Sequence, residues 1–387
     1  MTENTVLPGA TLGVMGGGQL GRMFVQAAQR LGYFTAVLDA DAQSPAGGVA
    51  HHHIATDYSD PQGLARLMQR CQAITTEFEN VPALALVTLA AHRRVAPGAQ
   101  AVAVCQDRAA EKAQFRRCGV PCAPFALIDT PERLDRVADD LLPGILKTAR
   151  LGYDGKGQRR VADRAGLATA WDALGRAPCV LEKLLPLALE LSVLVARGAD
   201  GQTVHLPVQQ NLHADGILAV TQVPPPDAPT ALQARAVNAA TTLAAAMDYV
   251  GVLCVEFFVL ADGSLVANEM APRPHNSGHW SVDGCDISQF ELQVRTLTGL
   301  PLTLPRQHSA AVMLNLLGDL WFVGGSAEKA PAWAAVLALP GVHLHLYGKA
   351  DARPGRKMGH LTVTAASPSA ARATALQAAA LLGLPAF

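Results

Sequence analysis

Two apolar runs, residues 252–260 (VLCVEFFVL) and 264–270 (SLVANEM), flank Asp262-Gly263. Asp-Gly between alternating hydrophobics is among the strongest short signals for a β-hairpin. A two-residue turn at 262–263 sets Glu256 directly opposite Glu269, with Cβ atoms ~5 Å apart. Two like charges there are destabilising unless one is protonated or a cation lies between them. A hard cation with oxygen ligands, Mg²⁺ or Mn²⁺ carrying the phosphates of a nucleotide, answers that need. The plainer alternatives are a solvated face or another register, and a three-residue loop would break the pairing.

The first hundred residues follow a different rule. Residues 10–15 (ATLGVM) read as a buried strand, 16–18 as a tight turn, 19–31 as an amphipathic helix and 34–39 as a second strand; 73–76 and 82–91 repeat the strand and helix patterns. Such alternation predicts an α/β unit with a parallel sheet. Gly16-x-Gly18-x-x-Gly21 fits the dinucleotide fingerprint, with Asp39 ending the next strand at the ribose-binding distance. Glycines there let backbone N–H groups approach a phosphate at a helix N-terminus, and Arg22 can add charge. This motif supports the rival reading, a NAD(P)-dependent oxidoreductase using the Gly16–Gly21 loop; a βα turn without ligand fits equally.

Only 16% of the 387 residues are charged, against about 25% in a typical soluble domain, and 31 basic residues balance 32 acidic ones. That excludes a nucleic-acid-coating protein, and an apolar half of the chain excludes disorder. No apolar run approaches the ~20 residues of a membrane span, and no secretory leader precedes residue 18. Seven cysteines without a C-x-x-C pair read as reduced, buried thiols of a cytoplasmic protein. His51, His52 and His53 are consecutive and point in different directions, which suits a partly exposed loop better than a metal site.

Where charge does cluster, it marks candidate sites. Lys147 ends an apolar strand and leads into Gly152-Tyr153-Asp154-Gly155-Lys156-Gly157-Gln158, a loop able to wrap phosphates with main-chain N–H donors, though it is not a Walker A loop. Glu182-Lys183-Leu184-Leu185 resembles a strand running into a connector, with Glu190 beyond, suited to an adenine amine and ribose hydroxyls. After the hairpin, Arg273, His275, Asn276 and His279 crowd one short loop, more polar groups than packing requires and able to hold an anionic intermediate. Lys349, Arg353, Arg356 and Lys357 fall in a second basic loop, opposed only by Asp351, and read as a phosphate clamp or a solvated turn.

The segments GGGQLGRM (16–23), TTEFENVP (75–82), QDRAAEK (106–112), KTARLGYDGKGQ (147–158), NEMAPRPHNSGHW (268–280) and YGKADARPGRKMGH (347–360) together resemble the N5-carboxyaminoimidazole ribonucleotide synthase family of ATP-grasp enzymes, from about residue 10 to 365. The resemblance implies an α/β (overall α+β) chain: a Rossmann-like pre-ATP-grasp domain at 1–106, an ATP-grasp lid with linker at 107–190, and a large ATP-grasp domain with a small β-rich C-terminal part at 191–387. It further implies that ATP is held by Arg108, Lys147, the 152–158 loop, Glu182–Leu185, Glu190, His213, Asn268 and Glu269, and Mg²⁺ by Glu256 and Glu269. Arg273, His275, Asn276 and Lys349 would serve the chemistry with bicarbonate. Lys349, Arg356 and Lys357 would take the phosphate of aminoimidazole ribonucleotide, with Gly18, Gln19, Leu20 and Glu77 lining its other side. The family pattern also implies a cytoplasmic homodimer in purine biosynthesis. Many ATP-grasp enzymes place an Asn two residues after the second glutamate. This chain has Ala271 there and Asn268 before the glutamate, which leaves the third metal ligand open.

Overall fold

The computed structural model describes residues 5–152, 157–322 and 329–387. Strands β1 (Thr11–Met15), β2 (Phe34–Leu38), β3 (His52–Ile54), β4 (Ala73–Thr76) and β5 (Arg94–Val95) form a parallel sheet in the order β3-β2-β1-β4-β5. Helix Gln19–Arg30 follows β1 directly and buries Leu20, Met23, Phe24 and Val25, the 3.6-residue stripe expected of a helix covering a sheet. The order, with the first strand between the second and the next one added, is that of a mononucleotide-binding half of a Rossmann fold.

A second, antiparallel sheet of order β6-β9-β7-β8 contains β6 (Phe125–Ile128), β7 (Gly144–Thr148), β8 (Gln158–Val161) and β9 (Cys179–Lys183). Its core is small, built on Ile128, Leu146, Leu181 and Trp171. The next strand, β10 (Leu187–Arg197), already belongs to the large sheet. The change of sheet therefore falls between Lys183 and Leu187, a few residues before the expected boundary at 190, because β10 needs its full eleven-residue length to pair with its long neighbour.

The large sheet adds β11 (Thr203–His205), β12 (Gln209–Ala214), β13 (Ile217–Val223), β14 (Gly251–Leu260), β15 (Leu265–Ala271), β16 (Ala310–Leu317), β17 (Val342–Leu346) and β18 (Lys357–Ala365), in the order β15-β14-β10-β12-β13-β16-β18-β17 with β11 beside β10. Because β16 pairs with β13, the C-terminal strands extend the same sheet as the hairpin glutamates. Helix Thr230–Ala246 covers one face, where Ala236, Ala240 and Leu243 meet Val193, Val255 and Phe257; each large apolar side chain so buried contributes about 1.5–3 kcal/mol. Helix Gln289–Thr298 joins the halves of the molecule, since Phe290, Val294 and Leu297 pack with Phe24, Val25 and Tyr33 of the N-terminal unit.

His51, His52 and His53 do diverge. His51 Nδ1 lies 3.1 Å from Thr35 Oγ1, His53 Nε2 3.3 Å from the Asp39 carbonyl, and His52 is exposed. All seven cysteines are free, but only Cys71, Cys179, Cys254 and Cys285 are buried; Cys105, Cys118 and Cys122 are half-buried, against the expectation of buried thiols throughout. Among the described residues no helix is long and apolar enough to cross a membrane.

Candidate active site

The hairpin reaches its expected pairing by a different route. Val259 pairs with Leu265, and the Leu260 N–H donates to the Ser264 carbonyl, so the turn is a three-residue loop, Ala261-Asp262-Gly263, closed by Gly263 at φ +79°. Alone, this loop would shift the register by one residue. A β-bulge between the Glu256 and Phe257 pairs, with Asn268 as the extra residue, shifts it back, and Glu256 faces Glu269. Alternation along β14 then sends Val255, Phe257 and Val259 into the core under helix Thr230–Ala246 and turns Glu256 to the opposite face.

The two glutamates have opposite electrostatic surroundings. Burial, then the Glu269 charge, pushes Glu256 above the usual carboxylate range. Burial works the same way on Glu269, but Arg108, whose Nη1 lies 2.9 Å from Glu269 Oε2, and Lys147 outweigh it and hold this carboxyl low. The bulge carbonyl of Asn268 accepts from Lys112 Nζ at 2.7 Å, while its buried Oδ1 has no hydrogen-bond partner. Two opposed carboxylates and an unsatisfied amide oxygen form an all-oxygen donor set that fits a hard divalent cation.

Around them stands a buried ion network. Glu182 sits between Lys112 Nζ at 3.3 Å and Lys147 Nζ at 3.1 Å, and burial lowers Lys147 despite that partner. Glu190 Oε2 lies 2.5 Å from His213 Nδ1. Glu111 accepts the Met270 N–H on Oε1 and has no partner for Oε2; burial pushes it up to about 8.

The loop after β15 is held from beneath. Arg273 pairs with Glu79. The amides of Asn276 and Asn315 bond reciprocally at 2.8 and 3.1 Å. Gln289 accepts the His275 N–H at 2.8 Å and donates to the His275 carbonyl at 2.9 Å. His275 Nε2 reaches Glu256 Oε1 at 3.2 Å, and burial with Arg273 nearby keeps this imidazole neutral.

Two cavities meet here. One, of about 470 Å³, runs from Gln19, Leu20 and Glu77 past Cys105 and Arg273; the other, of about 810 Å³, runs from Lys147, Glu182–Leu185 and Glu190 past His213 and Asn268. Arg108, Glu256, Glu269, His275, Asn276 and Lys357 line both.

The glycine loop is a different matter. The Gly18 and Gly21 N–H groups donate to Glu77 at 2.7 and 2.8 Å, and the Gly17 N–H donates to Asp39 at 2.7 Å. A Cβ at Gly16 would stand 2.4 Å from Glu77 Cγ. These glycines make room for the protein's own carboxylate at the helix N-terminus, so the donors a dinucleotide pyrophosphate would use are taken. Asp39 also accepts from Tyr58 Oη at 2.7 Å instead of standing open to a ribose. This overturns the oxidoreductase reading.

The same arrangement is found in known proteins. The ribonucleotide synthetase preATP-grasp domain family matches residues 9–106, the ATP-grasp domain family 113–290, and the phosphoribosylaminoimidazole carboxylase C-terminal domain family 311–374. The N5-carboxyaminoimidazole ribonucleotide synthase of Brucella melitensis is 46% identical over 366 residues, 94% of this chain and 98% of that one. The chain belongs to the N5-carboxyaminoimidazole ribonucleotide synthase family. The Staphylococcus aureus synthetase complexed with ADP superposes with a TM-score of 0.88 at 36% identity, covering 98% of each chain. The Aspergillus clavatus synthase in complex with ADP and aminoimidazole ribonucleotide does so at 0.88 and 32%, covering 97% of this chain and 98% of that one. This is therefore an ATP-grasp enzyme.

Within this synthase-family frame, the structure brings most of the expected residues to the two cavities. Gln19, Leu20, Glu77, Arg108, Gly152, Arg273, His275 and Asn276 line the first; Arg108, Lys147, Gln158, Glu182, Lys183, Leu184, Leu185, Glu190, His213, Asn268 and Glu269 line the second. Gly18 does not line either, its N–H being spent on Glu77. Of the basic loop, Lys357 lines both cavities; Lys349 stands beside it, donating to the Lys357 carbonyl at 2.7 Å, and Arg356 donates to the Asp351 carbonyl at 2.8 Å. Gly157 carries a φ of +70° next to β8. Tyr153, Asp154, Gly155 and Lys156 lie outside the described residues. Glu79, Glu111, Lys112 and Gln289 carry the site without having been singled out. The signal was there for Glu111 and Lys112: the charged helix 108–117 in a chain poor in charge.

Proposed function

We propose that this enzyme transfers the terminal phosphoryl group of ATP to bicarbonate and passes the carboxyl group of the resulting carboxyphosphate to the exocyclic amine of 5-aminoimidazole ribonucleotide. The products are N5-carboxyaminoimidazole ribonucleotide, ADP and phosphate. The observation that carries this reading is the shared wall of the two cavities. Six charged or polar residues face both, so a nucleotide in the larger and a ribonucleotide in the smaller would meet across one set of side chains.

In the larger cavity, Glu190 and His213 suit the ribose hydroxyls, and Lys147, anchored on Glu182, presents a cation to the phosphates. Glu256, Glu269 and the Asn268 amide oxygen would hold Mg²⁺ or Mn²⁺, which when bound supplies charge neutralisation for phosphoryl transfer. Arg108 lies on the Glu269 side of that position and offers its remaining N–H groups to the migrating phosphoryl oxygens. Arg273, fixed by Glu79, and the His275 and Asn276 side chains are placed to bind the carboxyphosphate between the cavities. Gln19, Leu20 and Glu77 line the far end for the ribonucleotide, and Lys349, Arg356 and Lys357 suit its phosphate. No nucleophilic side chain is required, and a closed site protects carboxyphosphate from water.

The test is ADP release with ATP, Mg²⁺, bicarbonate and aminoimidazole ribonucleotide, each omitted in turn. Full release only when all are present is expected; release unaffected by omitting bicarbonate and the ribonucleotide would overturn the reading. A homodimer in the cytoplasm is the accompanying expectation, checked by sedimentation and fractionation.

A further inference from the structure

Beneath the active-site loop lies a row of buried polar side chains that touch neither cavity. Thr221 Oγ1 donates to Asn211 Oδ1 at 2.9 Å, Asn211 Nδ2 donates to Ser192 Oγ at 2.9 Å, and Ser192 Oγ donates to Ser277 Oγ at 2.8 Å. Ser277 Oγ then lies 2.9 Å from His275 Nδ1. Thr221, Ser192 and Ser277 are fully buried and Asn211 is 7% exposed. Polar groups in such a place destabilise the fold unless their bonds are completed, and a completed row specifies one arrangement.

The direction of the row follows from one fixed donor. The backbone N–H of Ser277 donates to His275 Nδ1 at 3.3 Å. A backbone amide cannot accept there, so Nδ1 is an acceptor and the hydrogen of a neutral imidazole belongs on Nε2. The Ser277 hydroxyl must then also donate to Nδ1, which leaves its oxygen to accept from Ser192. Ser192 has a second acceptor in Gln209 Oε1 at 3.1 Å, but its shorter bond, 2.8 Å, runs to Ser277 Oγ, and with the Ser192 hydrogen spent there the Ser277 hydrogen is left for the imidazole. At the other end of the ring, Nε2 faces Glu256 Oε1 at 3.2 Å, and the ionised form of that carboxyl accepts only from a donor.

We propose that Ser277, backed by Ser192, Asn211 and Thr221, is a positioning residue that fixes His275 in its Nε2–H tautomer and aims that N–H at Glu256 and the space between the two cavities. The inference rests on the site assignment above for why the aim matters: a donor there orients Glu256 and leaves an N–H for an anionic intermediate. With the opposite tautomer a nitrogen lone pair would face the carboxylate. Second-layer hydrogen bonds of this kind typically hold ~10-fold in activity.

The test uses the full chain with ¹⁵N-labelled histidine, reading the His275 ring by long-range ¹H–¹⁵N spectra, the resonance being assigned by its loss in His275→Gln. The wild-type ring is expected as the Nε2–H tautomer. Ser277→Ala removes the hydroxyl 2.9 Å from Nδ1 and leaves only the longer backbone N–H at 3.3 Å, so the Nε2–H fraction is expected to fall and kcat to drop ~10-fold, with KM for ATP unchanged because no ATP-side contact is lost. A wild-type ring protonated on Nδ1, or an unchanged tautomer in Ser277→Ala, would overturn the proposal. If Ser277→Ala does not fold, Ser192→Ala carries the test: a shift in the same direction supports the assignment and none overturns it. The tautomer is read without substrates, so failure of the proposed reaction would show in the ADP assay and leave this result standing.

Discussion

The glycine loop at 16–21 and the glutamate hairpin at 256–269 both look like ligand sites, and they differ in where their charges go. In the glycine loop three N–H donors meet internal acceptors: Gly18 and Gly21 with Glu77, Gly17 with Asp39. In the hairpin, two carboxylates sit opposite each other on the cavity wall, each with one partner (Arg108 on Glu269, the neutral His275 on Glu256), and the Asn268 amide oxygen is unsatisfied. The first region stabilises the fold by completing its own bonds. The second leaves two like charges opposed and an acceptor unfilled, a cost its own partners relieve only in part and a ligand from outside can relieve further. A motif therefore identifies a binding site only when its donors or acceptors remain unspent.

The comparison can be broken most sharply at Glu256. Glu256→Gln should reduce ADP release by ~10³-fold, the scale of losing a charge aimed at the transition state. In ligand-free protein it should raise the melting temperature by about 2–4 °C, because a half-buried charge facing Glu269 has gone. A variant that stays within tenfold of wild-type activity would remove the hairpin from the chemistry. Glu77→Ala should do the reverse to stability. It strands the buried Gly21 N–H, costing about 1–3 kcal/mol, and leaves the half-buried Gly18 N–H to water, and urea unfolding should shift accordingly. Neither this variant nor the wild type should bind NADH in a fluorescence titration; binding by the wild type would restore the dinucleotide reading.

Glu111 gives a pH-dependent effect. Its folded pKa, pushed up to about 8 by burial, lies above its ordinary value of 4.5. Between these values the native state binds the extra proton, so stability falls as pH rises from about 4.5 through about 8 and is flat above. Glu111→Gln should remove that part of the slope and be more stable than wild type at pH 9; parallel pH profiles would show Glu111 ionised in the fold. The smallest effect is expected from Asp39→Asn. Asn keeps an acceptor for the Gly17 N–H and the Tyr58 hydroxyl and gives up only the exposed bond from the Asp41 N–H, so stability should change by about 1 kcal/mol, and ADP release should not change. A tenfold loss of activity there would make the glycine loop part of the site after all.

Much of this was legible in the sequence, for identifiable reasons. Period-two and 3.6-residue patterns located the parallel sheet and its helices, since those elements bury one face each. The facing of Glu256 and Glu269 was also legible, although the expected two-residue turn was wrong, because the loop and the bulge at Asn268 compensate. The occupancy of the glycine loop was not legible: Glu77 lies 56 residues from Gly21 in the chain, and only the sheet brings them together. Glu79 beneath Arg273 was hidden for the same reason, being 194 residues away. Gln289, which clamps the His275 backbone, has no local signature, since a glutamine in an amphipathic helix reads as surface.

The extra residue at Asn268 lies between the hairpin tip and the glutamates, so the tip and the site are mechanically separate. A residue gained or lost at the exposed loop 261–263 can be taken up in the loop itself, with Phe257, Val259, Leu265 and Ala267 kept in the core and Glu256 and Glu269 in their places. The strand works as a clutch: length variation can accumulate at the exposed end without being transmitted to the carboxylates. Deleting Asn268 would engage it, coupling every later change at the tip directly to the distance between the two charges.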